Sequence, residues 1–353
     1  MTTRADMIDR LGCDVSSPTR TIVVEAHDPS GSSSPDDIMA IIFGSSNFME
    51  TDDAYVKRAF VNDGEVWVDQ LQGRFWSIHT KMPMGGILPV LKEKIESHRE
   101  LDWLWLPSNH LQNLWPGASS NRVKTKFQGH DFLPASDPAQ DLSINLAGGG
   151  AERLLAYISQ EDNYRSAVSF DSVQVSVRDS IGRLDEAVHR MGRFAVTGDF
   201  EYHLQFVNII VGRYRKLVEL CEQSSLAWKP IDGSSDDGFT FSGGPIAIRF
   251  SREIPDMEQF AASLFAARQP FRLWGIPQFK DDVVYVDAVD LHVGQQVRME
   301  IGRQWMRVHL ESGGCGNAIA RLISNLQHRF DSRLEFVDPS LQSALALPAP
   351  AGV

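Results

Sequence analysis

The stretch WMRVHLESGGCGNAIARLISNLQHRFDSRLEFVDPS, residues 305–340, contains the pattern that decides the fold. An alternating apolar segment, typical of a strand, runs into a glycine-rich corner. The segment after the corner carries apolar residues at helical spacing, at Ile319, Leu322, Ile323 and Leu326. A second apolar run follows the helix. The stretch therefore predicts a strand, a sharp reversal, an amphipathic helix and a returning strand.

The same order of elements recurs at 74–108, 141–177 and 245–277. Two interpretations fit this recurrence: duplication of a strand–helix–strand unit, or the ordinary alternation of a protein that mixes strands and helices. The tryptophan-to-histidine spacing is one residue longer in the last copy than in the first. That difference favours the second interpretation, because side chains in a strand alternate with a period of two.

Two further segments, at 56–81 and 282–311, each read as three strands joined by short polar connections. Such connections are typical of antiparallel hairpins. Residues 200–223 form the longest predicted helix, and its apolar stripe includes Cys221. The chain is therefore predicted to be α+β, with antiparallel sheets covered by helices on one face, whether or not the strand–helix–strand units are true repeats.

The chain divides into four predicted segments. Residues 1–18 and 339–353 are expected to be flexible, because they are polar or rich in small residues and proline. Residues 19–178 and 179–338 are predicted to form two α+β domains. Residues 1–72 hold thirteen acidic and five basic residues, a net −8 of the total −12. This acidic end could face a basic partner, or it could be a solvated surface.

The composition is that of a folded globular protein, with 42% hydrophobic and 23% charged residues. The net charge of −12 argues against direct nucleic-acid binding, which depends on clustered Lys and Arg. No apolar run approaches the roughly 18 residues of a membrane span, and the N-terminus lacks the apolar stretch of a signal peptide. Three cysteines, Cys13, Cys221 and Cys315, lie far apart, as expected in a reducing compartment. We expect a cytoplasmic protein.

Cys315 is the best candidate for catalysis. A thiol at a helix N-terminus feels the positive end of the helix dipole, which favours the thiolate. A nucleophilic cysteine also needs a base, and His309 could fold back across the corner to serve. His328 lies about 20 Å away along the same helix, so it cannot be the partner. The alternative is that Cys315 is only a small residue packed against a glycine corner.

A second glycine corner, SINLAGGGAERLL at 143–155, resembles an anion cradle at a helix start. If it binds phosphate, the backbone of Gly148, Gly149 and Gly150 would contact the anion, with Arg153 as the nearest cation. The segment lacks the Lys-Ser/Thr of a Walker loop and does not match GxGxxG. Glycine is also what any sharp reversal between a strand and a helix requires.

Trp103 and Trp105 are candidates for partner binding. In a strand they point to the same face, and tryptophan is favoured where binding energy concentrates. The alternative is a fully buried strand. No metal site is predicted, because the ten histidines and three cysteines show no HxH, HxxxH, HExxH or CxxC spacing. No cofactor is predicted.

The leading hypothesis for function is a non-catalytic binding or assembly subunit that engages a protein partner. It rests on the absence of any catalytic constellation whose second member has a workable spacing. The alternative is an enzyme: a cysteine-dependent hydrolase or transferase using Cys315, or a phosphate- or nucleotide-binding enzyme using the corner at Gly148–Gly150. The identity of the partner or substrate does not follow from the sequence.

Overall fold

A computed structural model describes residues 2–12, 17–114, 119–178, 182–230 and 239–346, so that Cys13 lies outside the described residues. The helices of this part of the chain are α1 (Arg4–Leu11), α2 (Pro35–Phe43), α3 (Met84–Ser97), α4 (Ser108–Gln112), α5 (Ala151–Ile158), α6 (Phe200–Gln223), α7 (Met257–Leu264), α8 (Gly316–Arg329) and α9 (Pro339–Ala346). The strands are β1 (Thr19–Ala26), β2 (Phe48–Glu50), β3 (Val56–Val61), β4 (Gly64–Asp69), β5 (Phe75–Thr80), β6 (Leu101–Trp103), β7 (Ser119–Gln128), β8 (Asp141–Ala147), β9 (Phe170–Arg178), β10 (Arg183–His189), β11 (Arg193–Gly198), β12 (Ala227–Pro230), β13 (Phe239–Ser242), β14 (Ile246–Arg249), β15 (Leu273–Gly275), β16 (Gln278–Lys280), β17 (Val283–Asp290), β18 (Gln296–Gly302), β19 (Trp305–Leu310) and β20 (Glu335–Phe336).

Most of these strands form two antiparallel sheets. The larger sheet has eleven strands in the order β2-β3-β4-β5-β1-β11-β10-β9-β7-β8, and β6 also pairs with β1. The smaller sheet has seven strands in the order β15-β17-β18-β19-β14-β20, and β16 also pairs with β17. Strands β12 and β13 pair with each other. The predicted α+β fold with antiparallel sheets is confirmed, while the repeated strand–helix–strand unit stays a prediction.

The predicted hairpins are present in both sheets. Strands β3, β4 and β5 pair in sequence within the larger sheet, and β17, β18 and β19 do so in the smaller one. The turn between β3 and β4 is formed by Asn62 and Asp63, with φ of 47° and 63°. Positive φ at both central residues is the mark of a type I′ turn, which Asn and Asp tolerate and whose twist matches that of the paired strands. Local sequence therefore sets this pairing.

Helix α6 joins the two cores. The helix predicted over 200–223 is confirmed at both ends. Asp199 caps it, accepting a hydrogen bond from the backbone N–H of Tyr202 at 3.0 Å. Val218 packs into the core beside the larger sheet, whereas Cys221 packs into the core beside the smaller one. The predicted core position of Cys221 agrees with this packing.

Helix α8 is buried on all sides. Its apolar residues pack into the core of the smaller sheet, as the helical spacing predicts. Its polar side chains are also buried, at Asn317, Arg321, Ser324, Asn325 and Gln327. The hydroxyl of Ser324, for example, donates to the carbonyl oxygen of Leu106 at 3.1 Å. An amphipathic helix ordinarily turns its polar face to water. Here the polar face of α8 packs against residues next to the larger sheet, such as Leu106 and Ser108. Its polar side chains therefore hydrogen-bond to protein groups instead of water.

The predicted domain boundary, between residues 178 and 179, falls between β9 and β10, which are hydrogen-bonded neighbours in the larger sheet.

Helices α1 and α9 lie in the segments that the sequence predicts to be flexible. Thr3 and Asp6 form a capping box at the start of α1, and the helix buries Met7 and Leu11. None of the helices within the described ranges is both long enough and apolar enough to cross a membrane.

Candidate functional site

Cys315 lies at the N-cap of α8, directly after the corner that follows β19. Its side chain is buried, with 2% exposed. Its backbone N–H donates to Oε1 of Gln295 at 3.0 Å. The Cys315 thiol lies 3.5 Å from Oε1 and 3.7 Å from Oε2 of Glu25, and donates to that carboxylate. Glu25 belongs to β1 in the larger sheet, so the corner of the smaller sheet contacts the other half of the protein.

Glu25 is the centre of a buried cluster. Its carboxylate accepts a hydrogen bond from Nε2 of His292 at 3.1 Å. On its other oxygen it pairs with Nε of Arg74, also at 3.1 Å. Glu25, His292 and Cys315 present their donor atoms within 4.8 Å of one another. A carboxylate, an imidazole and a thiol thus meet at one point between the two sheets, and we call these three residues the Glu-His-Cys cluster.

A second buried set of charges lies beside the cluster. Arg321 of α8 pairs with Asp102 and with Asp290, and all three side chains are buried. Asp102 lies in β6 of the larger sheet, whereas Asp290 ends β17 of the smaller sheet. Arg74 also reaches Glu222 of α6 at 2.7 Å. Because Arg321 pairs with one carboxylate from each sheet, this network helps to fix how the two sheets meet.

The electrostatics around Cys315 favour the neutral thiol. Burial, and then the charge of Glu25, raise the pKa of the Cys315 thiol well above its ordinary value. Burial opposes ionisation of Glu25, but the charge of Arg74 and the contact with His292 hold the pKa of that carboxyl below its ordinary value. The thiol is therefore a hydrogen-bond donor to a carboxylate. A nucleophilic cysteine would instead be a partly exposed thiolate.

The structure places His309 away from this contact. Its neighbours in β19, Val308 and Leu310, pack into the core beneath α8, so the His309 side chain points to the opposite face of the strand. There its Nε2 lies 3.7 Å from Oε1 of Glu300. The histidine next to Cys315 is His292, which the sequence did not single out. His328 hydrogen-bonds through Nδ1 to the carbonyl oxygen of Lys126 at 2.8 Å.

A cleft of about 320 Å³ lies beside the Glu-His-Cys cluster. Gln295, whose side chain accepts the hydrogen bond from Cys315, is part of its lining. His27 and Gly313 line it as well, and they lie two residues from Glu25 and Cys315 in the chain. The cleft therefore reaches from solvent to the immediate surroundings of the buried thiol.

The second glycine corner is open. Gly148 directly follows β8 and has φ of 95°, and Gly150 is the N-cap of α5. A Cβ built on Gly148, Gly149 or Gly150 would meet nothing within 4 Å. These glycines and Arg153 are exposed. The reversal requires glycine only at Gly148, where φ is positive. Anion binding at this corner stays a prediction.

Trp103 and Trp105 belong to the core. They are 3% and 2% exposed, respectively. The indole N–H of Trp105 donates to Oδ1 of Asp102 at 3.0 Å, and the guanidinium of Arg190 lies 5.7 Å from the Trp105 ring centroid. Their edges line a cleft of about 310 Å³. Little of either ring is available to a partner, which fits the alternative of a fully buried segment.

Exposed apolar side chains gather instead at one end of the smaller sheet. Trp274 is 52% exposed, Ile276 70%, Phe279 53% and Tyr285 42%. Strand β17 pairs with both β15 and β16. Trp274 of β15 lies opposite Val289 of β17, and Gln278 of β16 lies opposite Tyr285 of β17. We call these four residues the apolar edge. The sequence signal is a cluster of large apolar residues around Gly275 and Pro277, where neither the strand nor the helix period holds.

Residues 18–344 match the family described as MJECL33-like protein. The chain belongs to this family. The matched residues include Glu25, His292 and Cys315, together with the apolar edge. A relative, called Uncharacterized protein MJECL33, comes from Methanocaldococcus jannaschii. It is 26% identical over 321 residues, which cover 77% of this chain and 75% of the relative. No solved structure matches the chain.

Proposed function

We propose that the protein is a non-catalytic binding or assembly subunit that engages a protein partner through the apolar edge. The observation that carries the proposal is the exposure of four large apolar side chains on β15, β16 and β17 and on the connection between β15 and β16. Single exposed apolar residues are common on protein surfaces, but several large ones within twelve residues of the chain favour an interaction site. Tryptophan and tyrosine are also the residues in which interfaces concentrate their binding energy.

The position of these residues in the sheet supports the same proposal. Strand β15 stands at one end of the strand order of the smaller sheet, but its outer side is already bridged, because Trp274 pairs with Ala266 and the N–H of Ala267 donates to the carbonyl oxygen of Leu273 at 2.9 Å. Among the strands that the structure describes, β16 pairs with β17 alone. An edge strand offers backbone N–H and C=O groups to an added strand. A partner segment in extended conformation would pair with the backbone of β16 while its apolar side chains cover Ile276 and Phe279.

The acidic N-terminal region is less suited to this role than its composition indicates. Arg4 pairs with Asp53 and Asp69, and Arg10 and Arg58 both pair with Glu65. Lys57 pairs with Asp36 and Glu50. Four of the five basic residues in this region are therefore committed to its own acids. These ion pairs reduce the field that a basic partner would meet.

The enzyme alternative finds less support. A cysteine-dependent hydrolase or transferase needs a thiolate that a substrate can reach. Cys315 is 2% exposed, and its thiol donates to Glu25. At the other glycine corner, the exposed Gly148–Gly150 segment precedes α5, a helix of eight residues. Its geometry alone does not distinguish an anion site from a turn.

The proposal can be tested by capture from the native cell. The double variant Trp274→Ser with Ile276→Ser removes the centre of the apolar edge at exposed positions, so the fold should be retained. We expect the wild-type chain to retain a defined partner that the double variant loses. Circular dichroism of both proteins checks that the fold is the same.

The matched control is Tyr157→Ser. Tyr157 is an exposed aromatic residue on α5, with 72% of its surface accessible, and it lies outside the apolar edge. This variant should capture the same partner as the wild-type chain. The proposal fails if the edge variant keeps the partner, or if Tyr157→Ser and the edge variant lose it to the same extent.

A further inference from the structure

We propose that Glu25, His292 and Cys315 form a binding site for Zn²⁺ or a similar divalent transition metal. The three residues come from β1, from the connection between β17 and β18, and from the N-cap of α8. A metal bound by all three would therefore link the larger sheet to the smaller one. This site is separate from the apolar edge, and the inference goes beyond the proposed partner-binding function.

The spacing of the donor atoms fits tetrahedral coordination. With Zn–S of about 2.3 Å and Zn–N and Zn–O of about 2.0 Å, a tetrahedral angle places S and O about 3.5 Å apart and N and O about 3.3 Å apart. The thiol of Cys315 lies 3.5 Å from Oε1 and 3.7 Å from Oε2 of Glu25. Nε2 of His292 lies 3.1 Å from Oε2 of Glu25. The thiol-to-carboxylate and imidazole-to-carboxylate separations are therefore close to those that a zinc ion requires, and the thiol lies within 4.8 Å of the imidazole.

The chemistry of the donors selects the class of metal. Thiolate and imidazole are ligands of Zn²⁺ and related ions, whereas Mg²⁺ and Ca²⁺ prefer sets made only of oxygen atoms. Three protein ligands leave one tetrahedral position for water or another small ligand. As the metal enters, the Cys315 thiol becomes a thiolate and its proton passes to solvent.

Hydrogen bonding alone does not account for His292. Its side chain is fully buried, and its Nδ1 has no hydrogen-bond partner among the residues that the structure describes. Buried ring nitrogens are ordinarily satisfied on both sides. When the ring proton is on the unpartnered Nδ1, the electron pair of Nε2 points toward Glu25 and is available to a metal.

The groups around the cluster orient the ligands. Nε of Arg74 lies 3.1 Å from Oε1 of Glu25, which leaves Oε2 directed at His292. The backbone N–H of Cys315 is held by Gln295, and the N–H of Gly316 donates to Glu222 at 2.9 Å. Such contacts fix the orientation of metal ligands in other proteins. Gln295 also lines the cleft of about 320 Å³, so this cleft lies one side chain away from Cys315.

Metal analysis of the untagged wild-type protein tests the site directly. The protein is stripped with a chelator, dialysed against Zn²⁺ or Co²⁺, and freed of excess metal. We expect one ion per chain by elemental analysis, and a thiolate-to-cobalt charge-transfer band with Co²⁺. Binding to the folded state should also raise the melting temperature, and the chelator should reverse that increase.

The variants Cys315→Ala and His292→Ala should each lose the bound ion, and Cys315→Ala should lose the charge-transfer band. Cys221→Ala is the matched control, because Cys221 is equally buried but lies in α6 away from the cluster. It should keep both. The inference is overturned if the folded wild-type protein takes up less than about one-tenth of an equivalent, a result that needs no variant. It is also overturned if Cys315→Ala retains the band.

Discussion

Replacement of Arg321 by methionine should destabilise the protein more than any other single change at the junction of its two halves. Arg321 is fully buried in α8 and pairs with Asp102 and Asp290, which are buried as well. Its Nε also donates to the carbonyl oxygen of Phe271 at 3.0 Å. Methionine is uncharged and replaces only the aliphatic stem of arginine, so it would leave two buried carboxylates without their cation and the space of the guanidinium group unfilled.

The size of the effect follows from the burial of the pair. Breaking a buried ion pair by removing one partner costs about 3–5 kcal/mol, because the remaining charge is uncompensated in a medium of low polarity. Arg272 lies 4.0 Å from Asp102 and offsets a part of this loss. We therefore expect the free energy of unfolding to fall by about 3 kcal/mol or more.

Urea unfolding followed by tryptophan fluorescence measures this difference. Arg298→Met is the matched control, because Arg298 forms a 2.7 Å pair with Asp287 in which both side chains are at least 70% exposed. Exposed pairs contribute about 0–1 kcal/mol, so this variant should unfold near the wild-type midpoint. A loss of less than about 1 kcal/mol for Arg321→Met, or equal losses for both variants, would refute the reasoning about the buried network.

Three further outcomes follow from the structure. Burial disfavours ionisation of Asp102, but Arg321 holds the pKa of that carboxyl below its ordinary value. The ionised carboxyl therefore stabilises the fold above the ordinary Asp range near pH 4, and this stabilisation is lost as pH falls further. The stability difference between wild type and Arg321→Met should shrink on acidification, and a difference that is constant from pH 7 to pH 3 would contradict this. Cys315 and Cys221 are buried, and burial raises the pKa of both thiols. Peptide mass spectrometry should therefore find both cysteines unmodified after iodoacetamide treatment of the native protein and modified after denaturation. Rapid labelling of Cys315 in the native protein would favour the enzyme alternative. Gly198→Ala should lower the free energy of unfolding by about 1–3 kcal/mol, because φ is 124° and a Cβ would lie 2.2 Å from the carbonyl oxygen of Arg183. Gly149→Ala, where a Cβ meets nothing within 4 Å, should unfold at the wild-type midpoint. Equal stabilities for the two variants would contradict the strain at Gly198.

The parts of the fold that local chemistry determines could be predicted from the sequence. Helix α6 begins after a capping Asp199 and carries an uninterrupted apolar stripe, so its bounds follow from propensity and periodicity. The β3–β4 hairpin follows from two residues that tolerate positive φ. Helix α1 was missed, although Thr3 and Asp6 form a recognisable capping pair.

The candidate metal site could not be predicted in the same way. Glu25 is separated from His292 by 267 residues and from Cys315 by 290 residues. Motif searches detect ligands at short, regular spacing, whereas these three meet only because the two sheets pack against each other. The partner of Arg321 in the larger sheet, Asp102, lies 219 residues away for the same reason. The sequence does show a cluster of large apolar residues around Gly275. Whether these side chains are exposed depends on which strand lies at the end of the sheet, and the sequence does not determine this.

Photo-crosslinking in the native cell tests the proposed function most directly. A photoreactive amino acid in place of Ile276, 70% exposed on the apolar edge, is compared with one in place of Tyr157, 72% exposed on α5. We predict a discrete protein adduct from position 276 that is absent from position 157. The same adducts from both positions, or none from position 276, would contradict partner binding at the apolar edge.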